Sequence, residues 1–384
     1  MKTILFLLEA FPSFGGIESV TVCIANALVE KYNIIICSVL AKDTGILTRL
    51  NPKVRVLHFP VSGWDYSIEN VEFLNHLIDE NHISILIYQD SYFPNEYLLR
   101  KIKNRDSLKI IVVEHSSPNY YQISYKNHMR NFAWWNLKDK LKMRLFHGRN
   151  TRRDRSRRTL LYEVCDKYVV LSESLKQIVL EESYIKNTYK LKSIGNPLSF
   201  SRPTVDFSMK EKQCLYVGRL DVMKGIDRLM HIWSKVEEHT PDWRLTIVGD
   251  GIKMQYVKDF VNRKKLSRVE IEGFKENVQE YYRTAQVLCM CSTFEGFPLV
   301  LPEAMSYGVV PIAFNSFPAL QDIITDGVDG YIIPAFDEDA YSKQLMSIMS
   351  DSENLYGIQR KGIETSLKFD IHPIVEEWIE LFEE

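Results

Sequence analysis

An α/β architecture of two doubly wound domains is predicted by three features of this 384-residue chain. Short, continuous apolar runs alternate with longer amphipathic ones, the pattern left by parallel strands buried on both faces. The pattern starts twice, with an aperiodic polar stretch between the two starts. The length is too great for one ordinary core and suits two domains, each under about 200 residues.

In the first half the strand runs are TILFLLE (3–9), NIIICSVL (33–40), VRVLHF (54–59), ISILIYQ (83–89), KIIVVEH (109–115), KYVVLS (167–172) and LKSIG (191–195). The second half supplies CLYVGR (214–219), RLTIVGD (244–250), VEIEGF (269–274), AQVLCMCS (285–292), VVPIAF (309–314) and GYIIPA (330–335). Residues 1–195 are therefore assigned to one domain and 214–366 to the other. The stretch 196–213 is polar, holds Pro197 and Pro203, and reads as the linker. Residues 367–384 end in IHPIVEEWIELFEE, where Val375, Trp378, Ile379 and Phe382 share one side of a helix at i, i+3, i+4 and i+7. That helix is expected to pack back across the domain junction. Two doubly wound domains bind ligand outside the carboxyl ends of their strands, in the cleft between them. The chemistry is therefore sought in the residues that follow each strand.

Composition narrows the class. A chain that is 45% hydrophobic and 26% charged is a soluble globular protein. Its formal net charge of −2 gives no global positive field for nucleic acid. The six cysteines, Cys23, Cys37, Cys165, Cys214, Cys289 and Cys291, follow no framework spacing and read as buried thiols of a reducing cytosol. Cys289 and Cys291 alternate with Leu288 and Met290 as a strand would, so they belong to core, not to a metal site. The opening apolar run is broken at Glu9, too early for a signal peptide, and no run of about 18 apolar residues follows. A cytoplasmic protein is expected, peripheral on the inner face of the cell membrane.

Four loops carry the candidate chemistry. After the first strand, Gly15 and Gly16 allow close backbone approach, and Ile17 opens a helix whose N-terminus favours an anion. After CLYV, Gly218 and Gly225 flank Arg219 and Lys224, a planar fork donor and a flexible ammonium of the kind a diphosphate needs. Gly249 ends the next strand in a Gly-Asp-Gly turn, and Glu272-Gly273-Phe274 ends the one after. The run CSTFEGFPLVLPEAMSYG (291–308) then places Glu295 and Glu303 among apolar residues and two prolines. On one continuous helix these carboxylates would lie about 80° apart in rotation and ~12 Å apart along the axis, too far for one small site. Pro298 suits a first helical residue and Pro302 is tolerated near a helix start. Glu295 therefore reads as a loop residue and Glu303 as lying one turn into the helix. The backbone N–H groups between them face an anion.

Taken together, Gly15-Gly16, the G-R-x4-K element ending at Lys224 and the E-x7-E element from Glu295 to Glu303 resemble family 4 retaining glycosyltransferases of the GT-B fold. The resemblance spans the chain and is strongest from about 214 to 336. It implies two Rossmann-like domains facing a central cleft, with Gly15, Gly16, Gly218 and Gly249 near the donor. Arg219 and Lys224 would neutralise the donor diphosphate, electrostatic help aimed at the leaving group. Glu303 would hold the nucleotide ribose, and Glu295 the hydroxyls of the donor sugar. Gly296, Phe297, Pro298, Leu299 and Val300 would line the donor, and Phe274 would border the base. His115, ending KIIVVEH, would sit near the anomeric carbon. The family uses no metal and no cofactor beyond a nucleotide diphosphate sugar, a UDP-sugar, as co-substrate. One departure is the loop NSFPALQDII (315–324), which lacks the expected glycine pair and has Asp322 where relatives carry Glu. The D-x-D at Asp337 and Asp339 precedes a helix and reads as an N-cap, not a metal site.

Residues 131–158 break from the rest. Trp134 and Trp135 precede a run rich in Lys and Arg, among them Arg152, Arg153, Arg155, Arg157 and Arg158. A cationic stretch beside paired indoles suits an anionic membrane surface or a polyprenyl-diphosphate-linked acceptor. The function expected is transfer of a hexose or N-acetylhexosamine to a saccharide acceptor in surface polysaccharide assembly. Two rivals stay open: a catalytically silent sugar-nucleotide-binding subunit, and a hydrolase or epimerase on the same fold. The phosphate-binding cations disfavour a glycosidase, which needs two carboxylates about one bond.

Overall fold

The computed structural model describes residues 1–384 apart from 43–44, 63–66, 91–95, 132–136, 183–184 and 186–187. Trp134 and Trp135 lie outside the described residues. The chain divides into two compact units: Met1–Tyr125, Phe132–Ser201 and Phe369–Glu384 form one, Lys126–Asn131 and Arg202–Lys368 the other. The change of unit at 201/202 falls inside the polar stretch 196–213, and the last sixteen residues belong to the first unit.

Among the described residues the first unit has seven strands: β1 (Thr3–Ala10), β2 (Asn33–Leu40), β3 (Arg55–His58), β4 (Ile83–Asp90), β5 (Lys109–Glu114), β6 (Lys167–Val170) and β7 (Leu191–Ser193). They pair in parallel in the order β3-β2-β1-β4-β5-β6-β7. The second unit has six: β8 (Gln213–Val217), β9 (Arg244–Val248), β10 (Val269–Gly273), β11 (Val287–Met290), β12 (Val310–Phe314) and β13 (Tyr331–Ile333). Their order is β10-β9-β8-β11-β12-β13, again parallel throughout. All thirteen strand runs of the sequence are strands, most of them trimmed where the run ends in a loop residue such as His115, Gly218 or Gly249. In both sheets the strand order reverses beside the strand that comes first in the chain, between β1 and β4 and between β8 and β11. Loops on either side of such a switch point diverge and leave a crevice for ligand.

Burial explains why the strands were readable. Ile4 to Leu8 are each at most 2% exposed, so both faces of β1 are covered and no polar alternation appears. In the second unit the helix Ile226–Val236 seats Ile226, Leu229, Met230, Ile232, Trp233 and Val236 against the sheet. Each such side chain contributes about 1.5–3 kcal/mol on burial. The Tyr341 hydroxyl donates to Ile312 O (2.8 Å) and accepts from Met290 N (3.1 Å), fastening a helix to the end of β11 and the middle of β12. Five cysteines are buried and the sixth, Cys23, is half-buried. Burial pushes the Cys37 and Cys165 thiols up to about 12.

Two sequence expectations are corrected. The helix Ile371–Glu383 buries Ile374, Val375, Trp378, Leu381 and Phe382, whereas Ile379 is only half-buried. The buried stripe adds Ile374 and Leu381 to the expected Val375, Trp378 and Phe382 and so is centred on Trp378, with Phe382 meeting Tyr32 edge-on at 5.6 Å. Second, Arg158 is not a surface cation. It lies near the end of the helix Leu137–Val164 at 2% exposure. There Nε and Nη2 donate to Glu114 at 2.9–3.2 Å, and Nη2 also donates to Asp154 at 2.8 Å. Tyr168 donates its hydroxyl to Glu114 Oε2 at 2.9 Å. Burial without partners would be prohibitive, and these two carboxylates supply the counter-charge.

Arg158→Ala is expected to destabilise the first unit by about 3 kcal/mol or more, because Glu114 is left buried and uncompensated. The exposed Arg152→Ala should change stability by less than about 0.5 kcal/mol. Denaturant unfolding of the two variants against the parent measures the contrast.

Candidate active site

The switch point of the second sheet collects most of the expected site residues. The loop leaving β8 runs Gly218-Arg219-Leu220-Asp221-Val222-Met223-Lys224-Gly225, and the loop leaving β11 runs from Cys291 to Leu299. They are joined at the backbone, Thr293 N donating to Met223 O at 2.7 Å, and by Arg228, whose Nη1 donates to Thr293 Oγ1 at 3.0 Å. Gly225 makes this contact possible. Its φ is +68°, and a Cβ there would lie 1.9 Å from Cys291 O. Gly249 acts similarly between the β8 and β9 loops: φ is +142° and a Cβ would lie 1.9 Å from Gly218 O.

On this frame Lys224 Nζ meets Glu295 Oε1 at 2.6 Å, with Glu295 only 9% exposed. Arg219 Nε meets Asp221 Oδ2 at 2.7 Å and its side chain is 72% exposed. The other Asp221 oxygen accepts from Lys224 N at 2.9 Å, so one carboxylate sets both the guanidinium and the backbone that presents the ammonium. Tyr216 donates its hydroxyl to Arg219 O at 2.8 Å and fixes the start of the loop. Both cations thus carry a carboxylate partner of their own unit.

Glu303 is the fourth residue of the helix Val300–Ser306 and 5% exposed. The Tyr282 hydroxyl donates to its Oε2 at 3.1 Å. Burial, then the Glu303 charge, raises the Tyr282 phenol well above its ordinary value, so it stays a donor. The helix starts later than the prolines suggested. Pro298 precedes it, and Pro302 is its third residue, where the missing N–H had no intrahelical acceptor to lose. Phe297 and Pro298 are buried, Gly296, Leu299 and Val300 half-buried. Phe274 is 58% exposed beyond Gly273, and Glu272 beside it accepts from Tyr281 Oη at 2.7 Å.

Gly15, Gly16 and His115 belong to the first unit. Gly15 caps the helix Gly16–Leu28 in extended backbone, φ −172°, which any residue can adopt. The Glu18 carboxylate lies over it, 2.3 Å from where a Cβ would stand, and burial raises the Glu18 pKa. His115 follows β5 and its Nε2 lies 2.5 Å from Gln89 Oε1. An amide oxygen only accepts, so Nε2 carries the proton and the neutral ring presents Nδ1 as an acceptor. Burial lowers the ring pKa to about 4, so it is neutral at physiological pH.

Asp221, Tyr282 and Gln89 were missed by sequence reasoning. Asp221, three residues before Lys224, had a local signal, since an Asp at that spacing accepts a backbone N–H at a turn. Tyr282 and Gln89 had none. Asp337 accepts from Ala340 N at 2.9 Å as an N-cap and Asp339 pairs with Lys235 at 2.7 Å. Among the described residues no group of three His, Cys, Asp or Glu is arranged to hold a metal ion.

Two parallel doubly wound units are the architecture of the GT-B fold, and the cation–carboxylate cluster lies at the switch point of the second. Residues 199–364 match the family described as glycosyl transferases group 1. An uncharacterized glycosyltransferase of Haemophilus influenzae is 26% identical, over 98% of this chain and 99% of its own. A Campylobacter jejuni protein is 27% identical over 100% of this chain and 99% of its own. It is named GalNAc-alpha-(1->4)-GalNAc-alpha-(1->3)-diNAcBac-PP-undecaprenol alpha-1,4-N-acetyl-D-galactosaminyltransferase. The solved structure of an S. aureus TarM mutant, a complex with fondaparinux, alpha-GlcNAc-glycerol and UDP, superposes with a TM-score of 0.75. It shares 13% identity over the full length of both chains.

Two outcomes follow from this geometry. Gly225→Ala should cost more than about 1 kcal/mol, because the left-handed backbone and the Cys291 carbonyl both reject a methyl; thermal unfolding measures it. The His115 pKa is lowered on folding, from 6.5 to about 4, so the unfolded chain binds more protons in that window. The His115 contribution to stability is therefore complete above about pH 6.5 and lost as pH falls towards 4. Unfolding of His115→Gln across that range should show a shallower pH slope than the parent.

Proposed function

We propose that the chain is a retaining hexosyltransferase. It moves a hexose or N-acetylhexosamine from a nucleotide diphosphate sugar, a UDP-sugar, to a saccharide on a polyprenyl diphosphate during surface polysaccharide assembly. The observation that carries the proposal is the convergence of Arg219, Lys224 and Glu295 at the switch point between β8 and β11. The UDP of the TarM complex supports the donor class, and the name of the Campylobacter relative supports the acceptor class.

As the bond from the anomeric carbon to the diphosphate breaks, negative charge grows on the leaving oxygen. Donors fixed in advance at that position lower the barrier. Lys224 and Arg219 take this role, so no metal ion is required. In the free site Glu295 neutralises Lys224 and Asp221 neutralises Arg219. Donor binding exchanges phosphate oxygens for Glu295 on Lys224, and the released Glu295 carboxylate accepts from hydroxyls of the donor sugar. Glu303, which accepts from Tyr282, takes the ribose hydroxyls. The two carboxylates therefore serve different parts of one donor and are not an acid–base couple. The placing of His115 beside the anomeric carbon rests on the family resemblance.

Lys224→Ala is expected to lower kcat by about 100- to 1000-fold. Arg219→Ala should cost less, since that side chain is 72% exposed and screened. Activity should survive EDTA, and the product should keep the donor's anomeric configuration, read by NMR of the glycosidic proton. Unchanged turnover in both variants would refute the diphosphate role.

A further inference from the structure

We propose that the outer face of the helix Leu137–Val164 docks on an anionic lipid bilayer. The helix has two sides with unlike contents. His147, Asp154, Arg158 and Leu161 lie within about 60° of one another on the helical wheel. Arg158 and Leu161 are at most 2% exposed and His147 is 6% exposed, while Asp154 is spent on Arg158. The ion pair of Arg158 with Glu114 at the end of β5 fixes this side inward and so sets the rotation of the helix.

The opposite side is open. Leu141, Leu145 and Phe146 are 56%, 59% and 57% exposed, among the larger apolar exposures of the described residues. Lys142, Arg149, Arg152 and Arg153 are exposed with them, over an arc of about 140°. Lys142 and Arg144 are interleaved with Leu141, Leu145 and Phe146 over about one and a half turns, and Arg149, Arg152 and Arg153 follow in the next turn. Between 141 and 158 Asp154 is the single carboxylate, and it points inward to Arg158. An uncompensated cationic cluster next to exposed leucines and a phenylalanine matches a surface that is anionic at its headgroups and apolar just beneath. A second copy of the same face would be repelled. A nucleic-acid duplex would leave the apolar residues in water. Among the described residues no helix is long and apolar enough to cross a membrane, so contact through this helix lies at the surface.

The test is sedimentation of the full chain with phosphatidylcholine vesicles, with and without about a third phosphatidylglycerol. Partition is expected on the anionic vesicles only, and it should weaken when salt rises from about 0.1 M to 0.5 M. Arg149→Gln with Arg152→Gln should lower partition by roughly 25-fold, about fivefold for each charge. Leu141→Ser with Leu145→Ser should lower it by at least about tenfold. Affinity for the nucleoside diphosphate should be unchanged in both double variants, which reports an intact fold and keeps this result separate from the fate of the proposed reaction. Equal partition on neutral and anionic vesicles, no partition on either, variants that partition like the parent, or binding to duplex DNA in place of vesicles would each overturn the proposal.

Discussion

The ion pair between Lys224 and Glu295 joins residues 71 apart in sequence, and it forms because β8 and β11 are neighbours in a sheet whose order reverses between them. A parallel sheet has all its strand ends on one edge, and at a reversal the two loops leave in opposite directions. In this protein they are drawn back together by a glycine with no side chain to obstruct a carbonyl, and by one backbone hydrogen bond. Remove that close approach and the cations of one loop lose the carboxylate of the other. Packing of the sheet thereby determines the electrostatics of the site.

That arrangement keeps the free site nearly neutral. Lone cations in a partly buried loop repel one another and destabilise the fold, whereas cations paired with movable carboxylates do not. The cost reappears on binding, since a phosphate must compete with Glu295 for Lys224. Such exchange favours a ligand that offers several oxygens at once over one that offers a single charge.

How much of this was legible in the sequence depends on the range of the interaction. Each strand was visible because burial on both faces writes an unbroken apolar run, and the loops were visible because they hold Gly, Arg, Lys and Glu immediately after such runs. The C-terminal helix was visible as a helix, but its exact buried stripe was not, because the side chains it packs on, Tyr32 among them, lie far away in sequence. Arg158 looked like one more member of a basic run. Its burial depends on Glu114, 44 residues earlier, and no local pattern announces that partner. Tyr282 and Gln89 were silent for the same reason: each acts through a side chain on a different element.

The helix Ile371–Glu383 follows every residue of the second unit in the chain, yet its Trp378 and Phe382 are core residues of the first. Synthesis runs from the N-terminus, and domains fold as units when their residues are all available. The second unit, whose strands and helices are contiguous from Arg202 to Lys368 but for one short segment, can therefore close its core while the first still lacks a wall. The unit translated first is the unit completed last. Until then the helix Gly16–Leu28 and Tyr32 stand without the partner that covers them.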